Sequence, residues 1–153
     1  MLATVQSGDA KKVAELMRQD PGLNVNKAVD RNRHSLLDYA CSDEGRSAVI
    51  PLLLAHPDID VNVKDKYGYT PFYCACGSGQ LSCVREMLKD SSVKVNEPDN
   101  GGTTTLWVAA ANGNFDVIKW WIASGGRWTW EHQERLTRQM SSGRQRRTAR
   151  QKL

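Results

Sequence analysis

The sequence has 153 residues, 40% hydrophobic and 25% charged, a length that allows one domain. Its formal net charge of +4 is uneven: residues 1–125 carry 13 Lys/Arg against 15 Asp/Glu, whereas residues 126–153 carry 8 against 2. The near-neutral body argues against a nucleic-acid-binding face there, and no signal-peptide pattern or membrane-length apolar run is present.

The first predicted elements are two short helices, carried by Thr4 to Gly8 and then by Val13, Leu16 and Met17 at helical spacing. Residues 1–29 make a half unit. The next unit, residues 30–64, opens on Asp30, with Arg33 where a turn favours Gly. Ser35-Leu36-Leu37-Asp38 and Ala40-Cys41 predict one helix. After Gly45, Val49-Ile50-Pro51-Leu52-Leu53-Leu54 predicts a second, which Pro51 should end or kink. In residues 65–98, Asp65, Gly68 and Tyr69 suit a tight turn, Thr70 caps a helix and Pro71 fits its first position. Gly79 ends this helix, and Cys83, Val84, Met87 and Leu88 mark the next. Residues 99–125 repeat the plan with Asp99 to Thr103, Thr104-Thr105-Leu106-Trp107, Ala109-Ala110, Gly113 and Val117 to Ile122.

The opening Ser/Thr residues Ser35, Thr70 and Thr104 are 35 and 34 residues apart, and the closing residues Asn26, Asn62 and Asn96 are 36 and 34 apart. Self-similarity at this period is the mark of a stacked repeat. Turn, TPLH-type helix start (Thr70-Pro71-Phe72-Tyr73), small-residue pair, Gly and apolar second helix together resemble the ankyrin repeat family over about residues 1–125. The resemblance implies an all-α solenoid of helix pairs with projecting β-hairpin loops, about three and a half repeats long. It also implies protein–protein recognition without catalysis or cofactor.

In that family, contacts come from hairpin tips and the exposed ends of first helices. Mapped by register, these are Val29, Arg31, Asn32, His34, Ser42 and Asp43 in one unit. The next gives Lys64, Lys66, Tyr67, Tyr69, Gly77 and Ser78, and the last gives Asn100, Thr103, Ala111 and Asn112. Tyr67 and Tyr69 are the expected anchors, because aromatic residues are enriched at binding hot spots. Asn26, Asn62 and Asn96 are expected to tie down the loops between repeats. The resemblance also makes them candidates for hydroxylation.

Other chemistry finds little support. His34, His56 and His132 are scattered, and no Ser or Cys nucleophile gains a base through the repeat register. There is no P-loop, dinucleotide fingerprint or H-E-x-x-H. Cys41, Cys74, Cys76 and Cys83 lack the paired C-x₂-C spacing of a zinc site and read as buried, reduced thiols of a cytoplasmic or nuclear protein.

After Gly125 the rhythm stops, and residues 126–153 read as a basic, disordered tail. The run Arg144 to Lys152 supports an alternative in which the tail binds nucleic acid or directs nuclear import. Back-translated in another frame, the same segment yields a turn and a helical start one repeat further on. The tail is therefore expected to be a frameshift product replacing a capping repeat, with Trp120 and Trp121 left exposed to drive self-association. A further alternative is a fragment of a longer array, since Met1 falls inside a helix by register.

Overall fold

The computed structural model describes residues 1–123. Its helices come in pairs: α1 (Leu2–Gln6) with α2 (Ala10–Gln19), and α3 (Leu36–Cys41) with a 3₁₀ segment (Glu44–Val49) that continues into α4 (Ile50–Leu54). Then follow α5 (Pro71–Gly77) with α6 (Leu81–Met87), and α7 (Thr105–Ala111) with α8 (Phe115–Ala123). The first helices stack in the row α1, α3, α5, α7; α4 and its 3₁₀ segment lie between α2 and α6, and α8 packs on α6.

Local chemistry sets each start. Ser35, Thr70 and Thr104 cap α3, α5 and α7, their hydroxyls accepting from the backbone N–H of Asp38, Tyr73 and Trp107. Ser35 and Asp38 complete a reciprocal capping box. Pro71 opens α5. Pro51 acts as expected: the second helix of its unit is divided, 3₁₀ before Ile50 and α after it, with Pro51 in the first turn of α4.

The turns follow hairpin paths, closed by Val29 N–H to His34 O (2.8 Å), Asp65 N–H to Tyr69 O (3.0 Å) and Asp99 N–H to Thr103 O (3.0 Å). No β-strand forms among the described residues. The turn N–H groups that a ladder needs go instead to the opening Asp carboxylates. Gly68 has φ +86°, and a Cβ there would sit 2.4 Å from Asn100 Oδ1, so only Gly fits. Arg33 takes the equivalent left-handed conformation with φ +65°, which a Cβ makes costly.

One continuous apolar strip holds the units together. Val13, Leu37, Ile50, Leu53, Phe72, Val84, Met87, Val117 and Trp121 belong to a single cluster, with Leu88 packed against it. Trp121 corrects the sequence expectation: it is only 3% exposed and meets Phe72 edge-on at 5.6 Å between centroids. Trp121 occupies the register of Leu53 and Met87, which points inward. Trp120, one residue away, is half-buried with the Arg85 guanidinium 5.6 Å from its ring. The exposed large apolar residues of this unit are Trp107, Phe115 and Ile122 instead.

The carboxamides of Asn26 and Asn62 bridge consecutive repeats, as the spacing predicts. Asn26 donates to Asp58 O (2.6 Å) and accepts from Asp60 N (2.8 Å); Asn62 donates to Ser92 O (2.9 Å) and accepts from Lys94 N (2.7 Å). Cys41, Cys76 and Cys83 are buried and Cys74 is half-buried. Desolvation pushes the Cys74 and Cys83 thiols up to about 12 and Cys41 and Cys76 upward as well, which suppresses the reactive thiolate.

Candidate interaction surface

Three aspartates build the turns from within. Asp30 Oδ1 accepts from Asn32 N (2.9 Å) and His34 N (3.0 Å). Asp65 Oδ1 accepts from Tyr67 N (2.8 Å) and Tyr69 N (2.9 Å), and Asp99 Oδ1 from Gly101 N and Thr103 N, both 2.8 Å. Each carboxylate thus folds its own turn and points the backbone tip outward.

The tips are stitched to one another. Lys66 N–H donates to Asn32 O (2.9 Å), Asn100 N–H to Tyr67 O (3.0 Å), and the Asn100 amide to Lys66 O (3.0 Å). His34 bonds within the first tip, its Nδ1 2.6 Å from Asp30 Oδ2, and its Nε2 lies 3.5 Å from the buried Asp65 Oδ2 of the second tip. Desolvation works against the Asp30 carboxylate, yet the hydrogen bonds from His34 and from Tyr39 Oη (2.9 Å) hold its pKa down at about 2. The result is a continuous ridge of fixed spacing.

The residues predicted from the sequence fall in two rows along the stack. Val29, Arg31, Asn32, His34, Lys64, Lys66, Tyr67, Tyr69, Asn100 and Thr103 belong to the turns. Ser42, Asp43, Gly77, Ser78, Ala111 and Asn112 lie at the C-terminal ends of α3, α5 and α7. Their availability differs. Arg31, Lys66 and Ser78 are exposed, and Tyr67 is 47% exposed with Lys66 Nζ 4.7 Å above its ring. Tyr69 is half-buried and stacks on Tyr73 (4.7 Å between centroids, 7° between planes), while Tyr73 Oη donates to Asp99 Oδ2 (3.0 Å). Tyr69 is therefore part of the wall that supports Tyr67, 5.6 Å away, rather than a second free anchor. Lys64 is held by Glu97 (2.8 Å) and Pro98 O (3.1 Å). The amides of Asn100 and Asn112, though exposed, are also engaged by the preceding unit, Asn112 donating to Gly77 O (2.8 Å).

Two features were not legible from the sequence. Asp38 is buried in the first turn of α3, with Oδ2 bonded to Ser35 N (2.6 Å) and Ser35 Oγ (2.8 Å) and Oδ1 without a partner. Desolvation lifts its pKa to about 6. A cleft of about 810 Å³ lies on the second-helix side, lined by Pro51, Arg85, Leu88, Val93, Val95 and Trp120 among others. None of the residues predicted at the hairpin tips and first-helix ends lines it, whereas Trp120 and Trp121 both do. No group of three His, Cys, Asp or Glu suited to a metal ion occurs among the described residues, and no helix among them is long and apolar enough to cross a membrane. His132, the run Arg144 to Lys152 and the whole segment 126–153 lie outside the described residues.

Comparison with known proteins decides the family. The family described as Ankyrin repeats (3 copies) matches residues 37–127, more than half of the chain. The chain belongs to the ankyrin repeat family. Among curated ankyrin repeat relatives, human Rabankyrin-5 is 34% identical over 102 residues, 67% of this chain and 9% of that protein. Human SMC5-SMC6 complex localization factor protein 1 is 39% identical over 90 residues, 59% of this chain and 8% of that protein. The probable 26S proteasome regulatory subunit p28 of Saccharomyces cerevisiae is 30% identical over 117 residues, 74% of this chain and 50% of that protein. The chain thus spans less than a tenth of the first two relatives and half of the third. Ankyrin repeats generally serve protein–protein interaction and are generally non-enzymatic.

Proposed function

We propose that this chain is a non-catalytic scaffold that binds a protein partner through its hairpin tips and the adjoining ends of its first helices. The observation that carries this reading is the ridge itself. Three tips are locked together by backbone hydrogen bonds, and the exposed ring of Tyr67 stands at the centre. A surface that is already rigid loses little conformational entropy on binding. A partly exposed aromatic backed by a packed neighbour has the character of a hot spot.

The test is Tyr67→Ala in the full chain. Its thermal midpoint should stay at the wild-type value, because the ring borders solvent. Affinity for a partner recovered by capture should fall by about 2 kcal/mol or more. An unchanged dissociation constant for every captured partner defeats the proposal. Tyr69 is the poorer probe, since truncating it also removes the stack on Tyr73.

A further inference from the structure

The ridge separates charge. Every acidic side chain that opens a turn is engaged within the ridge: Asp30 by backbone N–H groups, His34 and Tyr39; Asp65, itself buried, by backbone N–H groups; Asp99 by backbone N–H groups and Tyr73. Glu97, beside the third tip, is neutralised by Lys64 at 2.8 Å. The cations differ. Arg31, Arg33 and Lys66 are all exposed, and no acidic side chain among the described residues lies within ion-pair distance of them. The Lys66–Asn32 backbone bond holds the two cationic tips side by side, and Lys66 leans over Tyr67. The third tip, Asn100-Gly101-Gly102, carries no charge. A body of residues 1–125 with more acids than bases therefore presents a localised cationic and aromatic face.

We propose that Arg31, Arg33 and Lys66 take the carboxylates of an acidic peptide segment of the partner, with an apolar side chain of that segment laid against Tyr67. This rests on the reading of the tips as the partner surface. Guanidinium groups grip carboxylates in bidentate fashion, and the neighbouring aromatic ring supplies the desolvated contact that charge alone lacks. A nucleic acid fits less well. Its continuous run of phosphates demands many cations, and beyond the ridge it would meet the exposed Asp43, Glu44, Asp58 and Asp60.

The experiment uses the full chain and a displayed library of random 12-residue peptides. Selected peptides should be enriched in Asp and Glu next to an apolar residue. Their affinity should fall about tenfold or more in the triple variant Arg31→Gln, Arg33→Gln, Lys66→Gln, and fall also in Tyr67→Ala. Circular dichroism melts of both variants should match wild type. Peptides without acidic enrichment that still lose affinity in Tyr67→Ala overturn the acidic class and leave the tip reading standing. Peptides that bind every variant as tightly as wild type overturn both. A 12-nucleotide single-stranded RNA that binds more tightly than the peptides, and is lost in the triple variant, also overturns the proposal.

Discussion

Successive units place Asp38, Tyr73 and Trp107 at one helical position, and the three side chains are 3%, 5% and 61% exposed. The same contrast runs through the middle and last units. Phe72, Cys76 and Val84 are buried, whereas their register partners are half-buried Leu106, exposed Ala110 and half-buried Ile118. The helices themselves are alike: α5 and α7 both have seven residues and the same Thr cap. The difference lies in the neighbour. α7 covers α5, and no described element covers the far side of α7 and α8. Burial in this molecule is thus a property of adjacency, not of the individual unit.

The largest effect should come from truncating the same position in both units. Phe72→Ala should cost about 3–5 kcal/mol and Leu106→Ala about 1–2 kcal/mol in chemical denaturation, because only the first opens a closed cavity. Equal losses would break the comparison.

The buried carboxylate of Asp38 gives the next effect. Asp38 has a folded-state pKa raised to about 6 by desolvation. The folded state therefore holds a proton that the unfolded chain releases. Its stabilising contribution is present below pH 4 and is lost as pH rises through 6. Asp38→Asn should gain roughly 2–3 kcal/mol relative to wild type between pH 4 and pH 7. Urea midpoints of both proteins across that range check this. A pH-independent difference between them would show that burial does not desolvate the group.

The turns offer a smaller contrast. The middle and last tips use Gly68 and Gly102 at positive φ, but the first uses Arg33. Arg33→Gly should stabilise by about 0.5–1 kcal/mol, seen as a higher urea midpoint. The smallest effect belongs to Trp107→Ser, whose exposed ring should leave stability within about 0.5 kcal/mol of wild type despite the size of the side chain removed.

What the sequence disclosed, and what it hid, follows the same division. The helix starts at Ser35, Thr70 and Thr104, the Pro51 break and the bridging role of Asn26 and Asn62 were readable, because each depends on local chemistry repeated at a fixed step. The burial of Trp121 was not, because adjacent residues on a helix face different neighbours and only the packed stack decides which one enters the core. Nor were the amide bonds of Asn100 and Asn112, whose partners lie a whole repeat away. The contact row itself came from the family resemblance. The sorting of that row into free side chains (Arg31, Lys66, Tyr67) and occupied ones (Lys64, Tyr69, Asn100, Asn112) required the structure.

Native-state amide hydrogen exchange, resolved by helix, tests most directly the claim that each unit borrows its stability from the next. α5 and α6, flanked on both sides, should exchange slowest and open only with the whole stack, while α7 and α8 should exchange faster through local opening. Protection in α7 and α8 equal to or greater than that in α5 and α6 would contradict it.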